Sequence, residues 1–459
     1  MGARRKTAAL LDGLLLRPRA VRNRASRVSL AALAVALGAL LGTAPVTPAT
    51  AAPPVPKPIA ARDFALASDL TSYRPAVDAL AAELPRRTVS QVMAEANRDR
   101  QPLCHPVVYQ PLAARSQPLG FCWEDGDDGQ PGQYSEWWPQ GVTTTRDALE
   151  AGEYDGRQLV LVSWYHKGVG QEGGKPLKGV RVSFVDWDAD HPNTYRHVLL
   201  VEPYQDAGGA NFRPLLTSDD TASLHAGGIV WYGNLLYVAD TSYGFRIFDL
   251  ERMYEVSTGD KSKVGRQPDG SYHAFDYRYV LPQVGRVDLR MRNTGIPSLR
   301  FSFAALDRAS TPDSLIVGEY TGDPAGNAGT GDPADSNLRT RVVRFPLDYT
   351  DRLPKEEADG LVYGSEAYNT GYLSMQGAVS RNGRFWFASS AGSAGGPSAN
   401  YGKLRFFDRG TGAVREYSWA FGAEDLSYWP DPDGADYLWT LTEYPGYRVV
   451  VAVPQADFD

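Results

Sequence analysis

The stretch Leu224–Leu250, LHAGGIVWYGNLLYVADTSYGFRIFDL, admits few folds. His225 to Trp231 is a short apolar run opening through two glycines. Tyr232-Gly233-Asn234 is turn chemistry, and Leu235 to Ala239 is a continuous apolar run suited to a strand buried on both faces. Asp240 to Gly244 turns again, and Phe245 to Leu250 makes a third strand. Three short strands with no room for a helix between them make most of one blade of a β-propeller.

The unit recurs. Taking Gly141, Gly227, Phe303, Gly377 and Asp425 as equivalent gives spacings of 86, 76, 74 and 48 residues. Second strands are expected at Gln158 to Tyr165, Leu315 to Gly318, Arg384 to Ala388 and Tyr437 to Leu441. Third strands are expected at Val180 to Trp187, Arg341 to Leu347, Lys403 to Asp408 and Tyr447 to Val453. Fourth strands fit at Tyr195 to Val201, Tyr277 to Val280, Gly360 to Tyr363 and Ala413 to Trp419. The last unit lacks a fourth strand, and an unpaired edge is a liability, so the ring must borrow one from the N-terminal side. His105 to Tyr109 is the expected donor. Divergent repeats without helices between them predict an all-β, five-bladed propeller, with six or seven blades as the alternative, over residues 104–459. Its blades begin at about 134. Residues 52–103 read as a proline-stiffened linker and a short helical extension, with helices at Arg74 to Leu84 and Ser90 to Asn97.

Arg4, Arg5, Lys6, Arg17, Arg19, Arg22, Arg24 and Arg27 precede an apolar run from Leu30 to Leu41, and Ala49-Thr50-Ala51 follows. That order is a secretory signal peptide cleaved near Ala51, which predicts a secreted protein. Removing residues 1–51 takes away eight basic side chains and one acidic one, moving the net charge from −7 to −14. An acidic exported chain is a poor partner for nucleic acid, and no further run of spanning length predicts stable membrane insertion. An extracellular glycan or envelope component is the expected partner; oligomeric state is not legible. Cys104 and Cys122, the only cysteines, are expected to form one disulfide.

The phrase Leu236-Tyr237-Val238-Ala239-Asp240-Thr241, followed by Arg246-Ile247-Phe248-Asp249-Leu250, resembles repeats of the NHL and YVTN propeller classes. Proteins built from such repeats include lactone hydrolases, lyases and binding modules. The five-blade count is similar to that of furanosidase-type glycoside hydrolases and some lectins. The furanosidase pattern would place an aspartate at the opening of the first blade, where Gln140 stands instead.

Blade topology predicts which residues share a face. Loops entering the inner strands supply Trp137, Trp138, Gln140, His225, Ser302, Gln376, Glu424 and Asp425. Loops joining second and third strands supply Tyr165, His166, Asp240, Glu319, Tyr320, Ser389, Glu443 and Tyr444. Carboxylates and amides can take sugar hydroxyls while Trp138, Tyr165, Tyr320 and Tyr444 stack on sugar faces. Hydrolysis would need one carboxylic acid and one base or nucleophile. Glu319 is the expected acid, Asp240 or Glu443 the base, and His225 a neighbour that tunes their pKa values. The plainer readings stand beside these. Asp240 suits a turn cap, Glu319 and Glu443 occupy matching positions that duplication alone would produce, and Trp137-Trp138 suits an inter-blade wedge. His225 can bind a metal, pair with a carboxylate or fill space. Asp323, Asn327, Asp332 and Asp335 offer oxygens to calcium but lack EF-hand spacing. The leading expectation is a carbohydrate-active propeller that hydrolyses or lyses an extracellular polysaccharide at the channel mouth. The alternatives are a non-catalytic glycan- or protein-binding propeller and a metal-dependent lactonase-type hydrolase.

Overall fold

A computed structural model describes residues 52–168, 176–293, 295–322, 339–432 and 434–459. The expected signal peptide and the calcium candidates Asp323, Asn327, Asp332 and Asp335 lie outside them. Ala52–Asp459 forms one compact unit.

Five antiparallel four-stranded units form the five blades of a propeller, with blades one and two joined in one continuous sheet by a parallel strand pair. Blade one holds Trp137–Thr144, Leu159–His166, Val180–Asp186 and Thr194–Asp206. Blade two holds Ile229–Tyr232, Leu235–Asp240, Gly244–Asp249 and Tyr279–Met291; blade three Phe303–Asp307, Ser314–Gly318, Arg341–Pro346 and Glu366–Asn369. Blade four holds Met375–Arg381, Arg384–Ser389, Tyr401–Asp408 and Val414–Phe421. Blade five comprises Ala423–Trp429, Tyr437–Thr442 and Val449–Pro454, closed by Leu119–Cys122.

The core is a set of layers between neighbouring blades, which explains the continuous apolar runs. In blade one, Leu159 and Leu161 face blade two, while Val160 and Val162 face blade five. In blade two, Leu236 and Val238 face blade one, and Tyr237 and Ala239 face blade three. Successive strand side chains point to opposite faces, so a strand between two neighbours must be apolar on both.

Several boundaries differ from expectation. The closing strand is Leu119–Cys122, which pairs with Val449–Ala452, and not His105 to Tyr109. His105 has a positive φ and turns the chain toward the short helix Gln110–Ala113, so that segment does not extend. Blade three's outer strand is Glu366–Asn369; Val362–Tyr363 pairs instead with Phe64–Asp69. In blade two the outer strand runs to Met291. Its early part joins blade one in parallel, and its later part completes blade two. The helices form at Arg74–Glu83 and Val89–Ala94, the second held by a capping box between Thr88 and Gln91.

The N-terminal extension is a belt. Lys57–Pro58 pairs with blade three, Phe64–Asp69 with blade two, Arg98–Asp99 with blade one, and Gln101–Pro102 and Leu119–Cys122 with blade five. It therefore visits the blades in reverse order, covering edges that would otherwise be open. The disulfide Cys104–Cys122 fastens its last turn.

Candidate functional site

The inner strands meet closely at the axis. A Cβ at Gly228 would overlap the Ala304 amide nitrogen. One at Gly141 would lie 2.8 Å from the Ile229 nitrogen, and one at Gly377 2.6 Å from the Leu426 nitrogen. Only glycine lets the backbones approach this far. Asp425 is fully buried at the same level, where its Oδ2 accepts from the Val142 amide at 3.2 Å and the amides of Ile229 and Leu426 also face the carboxylate. Burial pushes its carboxyl well above the ordinary range. Asp425 is thus a clasp from blade five to blades one and two, which corrects its expected role in substrate binding.

Above this constriction lies a carboxyl pair. Glu424 stands on the inner strand of blade five, and Glu443 follows the blade's second strand. Burial and the Glu443 charge push the Glu424 carboxyl well above the usual carboxylate range, and the two side chains hydrogen-bond. The Gln376 amide donates to Glu424 Oε1 at 3.1 Å, and the Gln140 amide donates to Glu443 Oε2 at 3.1 Å. Glu443 is also raised by burial, against the opposing pull of Gln140, Lys167, Arg448 and the Tyr444 hydroxyl. Blades one, four and five therefore hold one proton-bearing pair in a frame of amides. Such a pair can deliver a proton and accept one.

His225 is exposed at the mouth, with its ring stacked on Tyr165 at 4.7 Å. The protein walls around it, together with the charges of Lys167 and Arg300, lower its pKa to about 4. A ring and two cations are poor company for a metal ion, so the expectation of His225 as ligand or carboxylate partner finds no support here. Among the described residues the grouping with metal-binding potential is Cys104, His105 and Cys122, and its sulfurs are joined to each other. Trp138 is half-buried, with the Lys167 ammonium 4.3 Å and the Arg448 guanidinium 5.7 Å from its ring centroid. Its edge faces Tyr444.

Two expected catalysts are otherwise engaged. Glu319 is fully buried in a bidentate pair with Arg341 at 2.6 and 2.7 Å, and it accepts the Arg300 amide at 2.9 Å. Arg341 also bonds the carbonyls of Pro297 and Ser298, so the pair staples the loop into blade three. Both oxygens of Glu319 are taken by Arg341 inside the blade, out of reach of a substrate, so it does not serve as the expected acid. Asp240 is buried against Arg246 at 2.9 Å and accepts from the Ser242 amide, the turn-cap arrangement. It is likewise withdrawn.

Strand alternation sends His166 away from Tyr165, into a buried cluster with Trp137, Glu136 and Lys178. Burial and Lys178 lower its pKa to about 4. Tyr320 is exposed, and its amide donates to the Ser302 hydroxyl. Ser389 accepts from Arg405. Two residues went unread in the sequence. Lys167 supplies the charge over Trp138. Arg448, fully buried, binds the carbonyls of Glu443, Asp127 and Trp137 and fixes the loop that carries Glu443. A lone arginine beside the apolar run Val449 to Val453 was the available signal.

No protein-family model matches the chain, and no curated protein matches it. Among solved structures, a levansucrase from Bacillus subtilis is similar at a TM-score of 0.33, with 9% identity, covering 77% of this chain and 97% of that one. A B. megaterium levansucrase follows at a TM-score of 0.32 and 11% identity, covering 85% and 92%. Similarity at this level carries no argument about what this chain does.

Proposed function

We propose that the protein is a carbohydrate-active propeller whose site is the mouth bearing Glu424 and Glu443. The observation that carries this reading is the proton-sharing carboxyl pair, clamped by Gln140 and Gln376 and flanked by Tyr165 and Tyr444. Glu424, whose carboxyl burial pushes well above the usual carboxylate range, is the general acid for the leaving oxygen. Glu443 then takes the proton from the attacking water. The glycan's hydroxyls replace the amide contacts, and its insertion separates the two carboxyls.

A second reading rests on their direct hydrogen bond. Glycosidases keep their two carboxyl groups about 6.5 to 9.5 Å apart when water attacks directly and about 5 to 5.5 Å apart when a carboxylate attacks first. A pair already in contact suits a site that only binds glycan.

The test is reducing-sugar release from a panel of plant and bacterial polysaccharides, run beside glycan-binding measurements. Under the hydrolytic reading, Glu424→Gln loses about 100-fold or more in kcat while keeping affinity. Saturable binding without turnover in the unmodified protein selects the binding reading. Neither turnover nor binding across the panel removes both.

A further inference from the structure

The loops joining first and second strands lie at the end of the axis opposite the carboxyl pair. There they enclose a cavity of about 640 Å³, within the range of small-ligand sites. Four arginines from different segments line it: Arg146 after the inner strand of blade one, Arg308 after that of blade three, Arg381 at the end of that of blade four, and Arg352 beyond Arg341–Pro346.

These arginines are held without the close carboxylates that four other buried arginines have. Arg341, Arg344, Arg246 and Arg181 all meet carboxylates at 2.6 to 2.9 Å. In the cavity, Arg308 instead donates to the carbonyls of Asp147 and Ala148, and Arg146 to that of Glu150. Arg352 lies 5.0 Å from the Tyr232 ring centroid, with Arg308 at 5.5 Å from the same ring, and Arg381 lies 5.0 Å from that of Tyr428. Among the described residues, Arg146, Arg308 and Arg352 make no ion pair within 4.0 Å, and Arg381 reaches Asp436 only at 3.8 Å.

The wall also carries four carboxylates, Glu150, Asp313, Asp431 and Asp436, two of which are engaged by tyrosine hydroxyls. Asp313 accepts the Tyr232 hydroxyl at 2.7 Å, and Asp436 accepts the Tyr428 hydroxyl at 2.7 Å. Burial raises the Asp313 carboxyl above its ordinary value, against the pull of its Tyr232 bond and of Arg308 and Arg352. The arginines are also seated. A Cβ at Gly233 would lie 2.8 Å from Arg352 Cγ, and one at Gly152 would overlap the Arg146 guanidinium. Guanidiniums fixed by rings and carbonyls keep their forks for an outside oxyanion, which they bind bidentately. Ser310, Thr311 and Tyr349 add hydroxyls to the wall.

The geometry points to a second ligand site here, which takes a small molecule bearing a phosphate or sulfate group. It is separate from the carboxyl mouth, because the glycine-lined constriction stands between them.

Calorimetric titration of the folded protein with pyrophosphate, sulfate and citrate, in about 150 mM salt to screen nonspecific attraction, tests the assignment. Saturable binding of pyrophosphate or sulfate is expected, weakened about tenfold or more by Arg308→Gln and by Arg352→Gln, as losing a charge-assisted bond requires. Glu424→Gln, at the other end, leaves it unchanged. The relative affinities of pyrophosphate and sulfate separate the two sources. Arginine labelling with phenylglyoxal on the unmodified protein gives a readout that needs no variant: the ligand shields Arg308 and Arg352. Absence of saturable binding, binding indifferent to both variants, citrate binding tighter than either anion, or unshielded arginines each overturn the assignment.

Discussion

Asp147 shows how one buried carboxyl couples the ring to pH. Its Oδ2 accepts from the hydroxyls of Thr143 and Ser427, so it ties blade one to blade five. Burial raises its pKa from 3.8 to about 6. Between those values the folded protein holds a proton that the unfolded chain has released, so stability falls as pH rises through the window and the loss is complete above it. Asp147→Asn keeps an oxygen acceptor and removes the charge. Urea denaturation is expected to find the two proteins equal near pH 4 and the variant more stable by up to about 3 kcal/mol near pH 7. A gap independent of pH would refute this account. The same scale shows where sequence reading stops. Glu319 and Glu443 occupy matching positions, yet one meets Arg341 across a strand pair and the other meets Gln140 from the adjoining blade. Sequence position gives the face; only register and neighbouring blades decide whether a cation or an amide arrives.

At the scale of elements, the strands were legible because each blade is sandwiched between two others. Runs such as Leu235 to Ala239 are apolar at every position, and turn residues punctuate them. The outer strands were not, since they are defined by pairing more than by composition: Val362–Tyr363 reads as well as Glu366–Asn369 but pairs with the belt. Leu119–Cys122 was missed for the same reason, being a four-residue strand with a glycine inside it. The glycines that mark the repeats have their explanation at the axis, where they touch neighbouring backbones. Gly228→Ala forces a methyl onto the Ala304 amide and is expected to cost about 3 kcal/mol, read as a lowered denaturation midpoint. Gly126→Ala, whose added methyl meets nothing, is the matched control. Equal midpoints for the two would remove the axial packing argument.

For the whole molecule, closure depends on a segment that is not itself a blade. The disulfide spans 18 residues and ends on Cys122, which lies opposite Val449 in the closing pair. Replacing Cys104 and Cys122 with serine is expected to lower stability by about 3 kcal/mol in the chain-entropy account. Denaturation of the unmodified protein with and without reductant checks it, the reduced form matching the double variant. A midpoint unmoved by reduction would place closure in strand pairing alone.

The belt also sets a timetable. Phe64–Asp69 leaves the ribosome before any strand it pairs with, Leu119–Cys122 meets only Gln101–Pro102 already made, and Val449 is made 327 residues after Cys122 (449 − 122). A chain built in this order carries unmet edges throughout synthesis, and its slowest contacts are its most distant ones. Completion of the ring therefore waits for Val449–Pro454, and a chaperone that shields the early strands would act on the belt rather than on the blades.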